Sequence, residues 1–396
     1  MVDAGEHAPL QPDGDRVRRG ISVPHDPLIS ISILVVDEGE RLLRCLDSIR
    51  ATASGTIRHE VMVVANGAPP STAIRLSERD DIVLIRSGVN LGFGGGHNWS
   101  ARFARGAYLL FLNDDSTVEP GWMESLVNTA DSHPGAGAVG SRVLYPDGRL
   151  QEAGGIIWRD GTSERIGRFL PAESVEFAAI RPVEYCSGCS LMVRRDAWES
   201  LAGFDPEYFP AYYEDADLCF RLRERGFEIL YDPGSRIRHL EWGSTDPAWR
   251  TFLSERNRSR FLERWSGVLR NHEPAPPRED VDAAIFRSSR RLDLRPALLL
   301  VDLRSPTSLL SDGRGLDWVR RQAATMAVHI WLEDPESLSA PLRDLLGEHG
   351  VELLDGRSHP LSSVVGWGWD SIVDPWSSKG DASTGVDELA GLRAVH

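Results

Sequence analysis

The stretch Ala107–Ser116, Ala-Tyr-Leu-Leu-Phe-Leu-Asn-Asp-Asp-Ser, constrains the chain more than any other. Its run of consecutive apolar and aromatic residues reads as a buried strand, and the strand stops on two carboxylates, Asp114 and Asp115. In a parallel α/β sheet, ligands gather beyond the carboxyl ends of the strands. Adjacent carboxylates at that edge suit a hard cation such as Mg²⁺ or Mn²⁺. They equally suit an ordinary turn, where Asn and Asp are favoured, and on this stretch alone both readings stand.

The flanking sequence alternates between the two periods. Ile31–Val36 reads as a strand and Arg41–Arg50 as a helix with apolar residues at helical spacing. Strands follow at Glu60–Val64 and Ile82–Ile85, then a helix from His97 to Arg105. Alternation at this spacing predicts a mixed, mostly parallel sheet with helices on both faces. The segment Asn90–Asn98, Asn-Leu-Gly-Phe-Gly-Gly-Gly-His-Asn, reads either as a tight β-to-α turn or as a weak phosphate-binding loop, since it lacks both G-K-[ST] and G-x-G-x-x-G. Downstream, a helix is expected at Trp122–Ala130 and strands at Ala138–Leu144, Val183–Arg194, Phe227–Tyr231 and Ser235–His239.

Glu214, Asp215 and Asp217 open a helix that Gly226 ends. Acidic residues there complement the helix dipole, and a carboxylate held ionised by the helix N-terminus also suits a general base toward a hydroxyl. His239 ends a strand, as a capped surface residue or, if it meets Asp115, as a ligand. Arg250–Trp265 reads as a basic helix.

Residues 1–28 lack apolar periodicity and read as a flexible tail, 29–271 as one α/β domain, 272–293 as a proline- and charge-rich linker, and 294–396 as a smaller α/β module. A formal net charge of −15 argues against a nucleic-acid partner. No apolar run reaches the length of a transmembrane segment, so a cytoplasmic protein is expected, peripheral at most to the inner face of a membrane. The four cysteines are too few and scattered for a disulfide framework, and Cys186-Ser-Gly-Cys189 lacks the partners of a zinc site, so structural thiols are expected.

Taken in order, SILVV, VVANG, NLGFGGGHN, FLNDDS, YPDGRLQEAGG, YCSGCSLMVRR, GFDPEYF, YYEDADLCFRLRERG and RHLEWGS make residues 30–265 resemble a family 2 glycosyltransferase of the GT-A nucleotide-diphospho-sugar transferase fold, in its rhamnosyltransferase-like branch. The resemblance implies inverting transfer of a sugar, with rhamnose the candidate, from a nucleotide-diphosphate donor to a hydroxyl on a glycan, lipid-linked glycan or small molecule. It implies a divalent metal, Mg or Mn, with Asp115 and His239 as ligands, Asp215 as the base and Glu214 beside it. Donor contacts would come from Val36, Asp37, Glu38, Asn66, Asn90, Gly92, Asn98, Asn113 and Asp114. Two departures stand out. Asp37-Glu38-Gly39 replaces the usual Tyr-Asn after the first strand, and Ala65-Asn66 replaces an Asp-Asn whose Asp commonly reads the base, leaving Asn66 to substitute through its amide. The C-terminal module resembles the amino-terminal half of a GT-B glycosyltransferase, through Leu300–Pro306 and Asp312-Gly313, a Rossmann-like unit expected to dock, form homo-oligomers or hold an acceptor. The competing expectation is a non-catalytic sugar-nucleotide or partner-binding protein derived from such an enzyme.

Overall fold

A computed structural model describes residues 18–19, 28–241, 246–289, 292, 297–302, 313–335, 338–348, 351–364, 367, 369 and 371–373. Its centre is the Tyr108–Leu112 strand, every residue of which is buried. Alternation divides it between two cores: Leu109 and Phe111 face one, Tyr108, Leu110 and Leu112 the other. A strand covered on both faces must be apolar throughout, which is why the run is unbroken.

Val83–Ser87, His59–Asn66, Ile29–Val35 and Tyr108–Leu112 lie side by side and parallel. Ser190–Arg194 then runs antiparallel between Tyr108–Leu112 and Ala136–Leu144, and Glu228–His239 pairs in parallel with the latter. This mixed order brings the ends that matter to one edge. Leu112 pairs with Ser190, the first residue of its strand, and Arg238 pairs with Leu144, the last of its own. The short Ser116–Val118 strand folds back so that Ser116 pairs with His239, which sets Asp115 next to that imidazole. Helices Glu40–Thr52 and Trp122–Ser132 cover one face. Arg195–Leu201, Glu214–Glu224 and Pro247–Leu269 contribute to the other.

A second sheet, of four parallel strands, follows in the order Glu352–Asp355, Ala327–Leu332, Ala297–Asp302, Ser371–Val373. Numbered along the chain this is 3-2-1-4, a doubly wound arrangement, with its own apolar cluster around Leu300, Val319 and Ile330. The carboxyl end of Glu352–Asp355 meets the first unit, where the Asp355 amide donates to Glu176 at 3.2 Å.

Several expectations are corrected. The glycine-rich segment is itself helical, Gly92–Ala101, rather than a turn before a helix at His97. A Cβ at Gly94 would stand 2.9 Å from Phe204, so glycine here permits close packing of a helix instead of shaping a phosphate loop. Val183–Arg194 is a strand only over Ser190–Arg194, because residues before it turn to reach the site. Phe227–Tyr231 and Ser235–His239 are one irregular strand, Glu228–His239, with its register shifting between Asp232 and Arg236. A helix at Pro70–Ser77 went unpredicted, and the expected linker contains the helix Val281–Ser289. Within the expected tail, Arg18–Arg19 form a strand against Val83 and Leu84. The rest of that tail, Trp242–Ser244 of RHLEWGS, and 303–312 of the GT-B-like segment lie outside the described residues.

Candidate active site

Beyond the shared strand edge lies a cavity of about 740 Å³, lined among others by Asn113, Asp115, Gly188, Glu214, Asp215 and His239. Asp115 Oδ1 and His239 Nε2 are 3.1 Å apart. The imidazole is oriented from both sides: Nδ1 meets Gln151 Oε1 at 2.7 Å, and Asn113 Nδ2 meets Nε2 at 3.1 Å. Gln151 Oε1 can only accept, so it takes the hydrogen of Nδ1 and leaves the lone pair on Nε2, within reach of both Asn113 Nδ2 and Asp115. In that neutral tautomer a nitrogen lone pair and a carboxylate oxygen face one another, and Asp115 Oδ1 is buried without a hydrogen-bond donor. Two electron-rich atoms at this distance need a proton or a cation with them. Burial works against the Asp115 carboxylate, but the His239 contact, with a smaller contribution from Arg41, outweighs that and holds the group below its ordinary value. The donor set of one carboxylate and one imidazole fits Mn²⁺ or Mg²⁺. Among the described residues no group of three His, Cys, Asp or Glu side chains forms a metal cage.

Asp215, which lines the same cavity, lies at the start of Glu214–Glu224. Its Oδ2 accepts from the Gly188 amide at 3.0 Å and Oδ1 from the Ala216 amide at 2.8 Å. Gly188 must be glycine for this approach, since a Cβ would stand 2.7 Å from the Phe93 ring. Burial raises the Asp215 pKa, and the backbone donors only moderate the rise. The sequence suggested a carboxylate kept ionised by the helix end, and here desolvation is the larger effect. Glu214 is raised well above its ordinary value by burial and by Asp215, and its buried Oε2 has no partner. Asp217 sits apart, with Arg221 at 2.6 Å and the Trp265 indole at 3.0 Å.

The turn entering this helix is strained. Tyr212 and Tyr213 both have positive φ, 77° and 71°, a left-handed conformation that costs on the order of 1–3 kcal/mol per residue and clusters at functional sites. Asn257, fully buried on Pro247–Leu269, holds it by donating to the carbonyls of Tyr208, Ala211 and Tyr212 at 2.8, 2.9 and 2.9 Å.

The remaining sequence candidates do not line this cavity. Val36 is exposed, Asp37 pairs with Arg41 at 2.6 Å, and Glu38 accepts from Ser71 at 3.1 Å. Asn66 is buried, and both hydrogens of its amide are engaged, with Asn90 Oδ1 at 3.2 Å and the Gly92 carbonyl at 3.1 Å. It clamps the glycine-rich helix and has no donor left for a base. Asn98 exchanges two bonds of 2.8 Å with the Phe204 backbone. Asp114 faces Arg41 and Asp37, and burial and Asp115 push its pKa up to about 7. Sequence reasoning missed Gln151, Glu152, Arg165 and Asn257. Glu152, raised by burial, accepts from the Ser187 amide at 2.8 Å and lies 3.8 Å from Arg165. The available signal was a Gln-Glu pair within an otherwise apolar stretch. All four cysteines are free and buried, as expected.

Residues 30–201 match the family model described as glycosyl transferase family 2. That stretch carries the signature of family 2 glycosyltransferases. The chain is 28% identical over 312 residues to the N-acetylglucosaminyl-diphospho-decaprenol L-rhamnosyltransferase of Mycobacterium tuberculosis, covering 70% of this chain and 99% of that one. It is 30% identical over 227 residues to the O-antigen biosynthesis protein RfbC of Myxococcus xanthus, covering 55% of this chain but only 18% of that protein. Among solved structures, GalNAc-T7 with UDP, GalNAc and Mn²⁺ aligns with a TM-score of 0.51 at 17% identity, covering 63% of this chain and 50% of that one. That likeness establishes the GT-A fold of this domain.

Proposed function

We propose that the protein is an inverting, metal-dependent glycosyltransferase that moves a hexose, rhamnose by likeness to the mycobacterial relative, from a nucleotide diphosphate to a hydroxyl acceptor in cell-surface polysaccharide assembly. One observation carries the reading: a single cavity is lined by the Asp115–His239 pair and by the half-buried Asp215. Asp115 and His239 would hold Mn²⁺ or Mg²⁺ through two protein atoms, with diphosphate oxygens and water completing the shell. Bound there, the cation would neutralise charge on the departing diphosphate.

Asp215 would take the acceptor's hydroxyl proton as that oxygen bonds to the anomeric carbon from the face opposite the diphosphate, whose bond to the carbon breaks. A raised pKa makes Asp215 a stronger base than a solvated carboxylate. Glu214, with an unpartnered buried oxygen, would hold the acceptor or a sugar hydroxyl. The four free, buried thiols agree with a cytoplasmic site of action. The C-terminal sheet would dock or support the acceptor and take no part in the chemistry.

The test is a panel of uridine, thymidine and guanosine diphosphate sugars with Mn²⁺. Transfer or slow donor hydrolysis with at least one is expected. If no donor is turned over and none binds in a metal-dependent way, the enzyme reading fails.

A further inference from the structure

The helix Pro247–Leu269 walls the cavity with Arg250, Thr251 and Ser254, and an adjacent stripe of the same helix carries half-exposed aromatic side chains. Trp249 and Phe252 are each 51% exposed and stack with ring centroids 5.2 Å apart. Positions 249, 252, 256 and 260 share one helical stripe, so Arg256 and Arg260 continue it. These arginines donate to the carbonyls of Phe209 and Glu207. That contact sets Phe209, itself 54% exposed, beside the same patch. Asp246, the acid at the helix start, is engaged in capping the Ala248 and Trp249 amides at 2.9 and 3.1 Å.

A group of exposed large aromatics marks an interaction site, and aromatics beside arginines match the chemistry of a membrane–water interface. We propose that this patch docks on the surface of an anionic lipid bilayer, seating the cavity mouth at headgroup level so that a hydroxyl presented from the membrane reaches Asp215. The formal charge of −15 sharpens the orientation. An anionic surface repels most of the protein and attracts a local basic stripe. The purpose of the docking rests on the transferase reading, but vesicle binding needs no turnover, so the two fail separately.

The experiment is co-sedimentation of the full chain with vesicles of phosphatidylcholine alone or with phosphatidylglycerol. Binding to the anionic vesicles is expected, and W249S/F252S should weaken it about tenfold, with circular dichroism and donor hydrolysis in solution unchanged. R256Q/R260Q should weaken binding and flatten its salt dependence. Wild-type protein left in the supernatant, or W249S/F252S pelleting as well as wild type, overturns the proposal. A wild-type dimer that W249S/F252S dissociates, without vesicle binding, assigns the patch to a second copy of the chain and also overturns it.

Discussion

Gln151 Oε1 lies 2.7 Å from His239 Nδ1, on the side of the ring away from Asp115. A side chain on the far side of the ring therefore decides which imidazole nitrogen keeps its lone pair.

Replacing Gln151 by Leu should free the ring to put its hydrogen on Nε2, facing Asp115. Loss of such an outer partner weakens metal binding by about 10–100-fold. Titration of Mn²⁺ by calorimetry, with a nucleoside diphosphate present, reads the effect without any turnover. Unchanged affinity would remove Gln151 from the site.

Asp215→Asn should lower transfer by roughly 10²–10⁴-fold, the usual share of a general base, while nucleotide binding stays intact. Because burial raises the pKa of Asp215, the rate should climb with pH through that raised value before it levels off. Its base is the deprotonated form, which fixes the sign. A flat profile across the weakly acidic range would exclude it.

Glu214→Gln should stabilise the fold while lowering transfer. The native state holds a proton on Glu214 to higher pH than the unfolded chain does. Wild-type stability from this group is therefore present at acid pH and lost as pH rises above the unfolded value. At pH 8 the amide escapes that penalty, and a thermal midpoint higher by roughly 2–4 °C is expected. A midpoint lower than wild type at pH 8 would count against the buried-charge account.

Asn257→Ala leaves the carbonyls of Tyr208, Ala211 and Tyr212 without their shared donor. Urea unfolding should show a loss of about 2–4 kcal/mol. In the folded protein at low temperature, kcat should fall more than donor KM rises, since the turn presents Asp215 and leaves the Asp115 side untouched.

The sequence was informative where periodicity alone decides. Tyr108–Leu112 read as a buried strand and is one, covered on both faces, while the carboxylates that end it read equally as a turn or a site. It was less informative where a residue acts through distance partners. Asn66 looked like a base reader because Ala65-Asn66 stands where the resembled family has Asp-Asn, yet its amide is claimed by Asn90 and Gly92, more than twenty residues along the chain. Gln151 and Glu152 lay in a stretch without clear period, and only the pairing of Leu150–Glu152 with Ala136–Leu144 brings them to the site. The glycine-rich segment misled because glycine that admits Phe204 against a helix looks the same in sequence as glycine that shapes a loop.

The clamp formed by Asn257 also bears on where this machine ends. The stretch that matches the family model closes at residue 201, before Asp215, His239 and Asn257. A protein cut there would keep Asp115 and lose the imidazole it faces, the Asp215 carboxylate that lines the same cavity and the helix that holds the turn before it. On the proposed roles, the matched stretch is shorter than the site, which draws on residues as far along as the helix Pro247–Leu269.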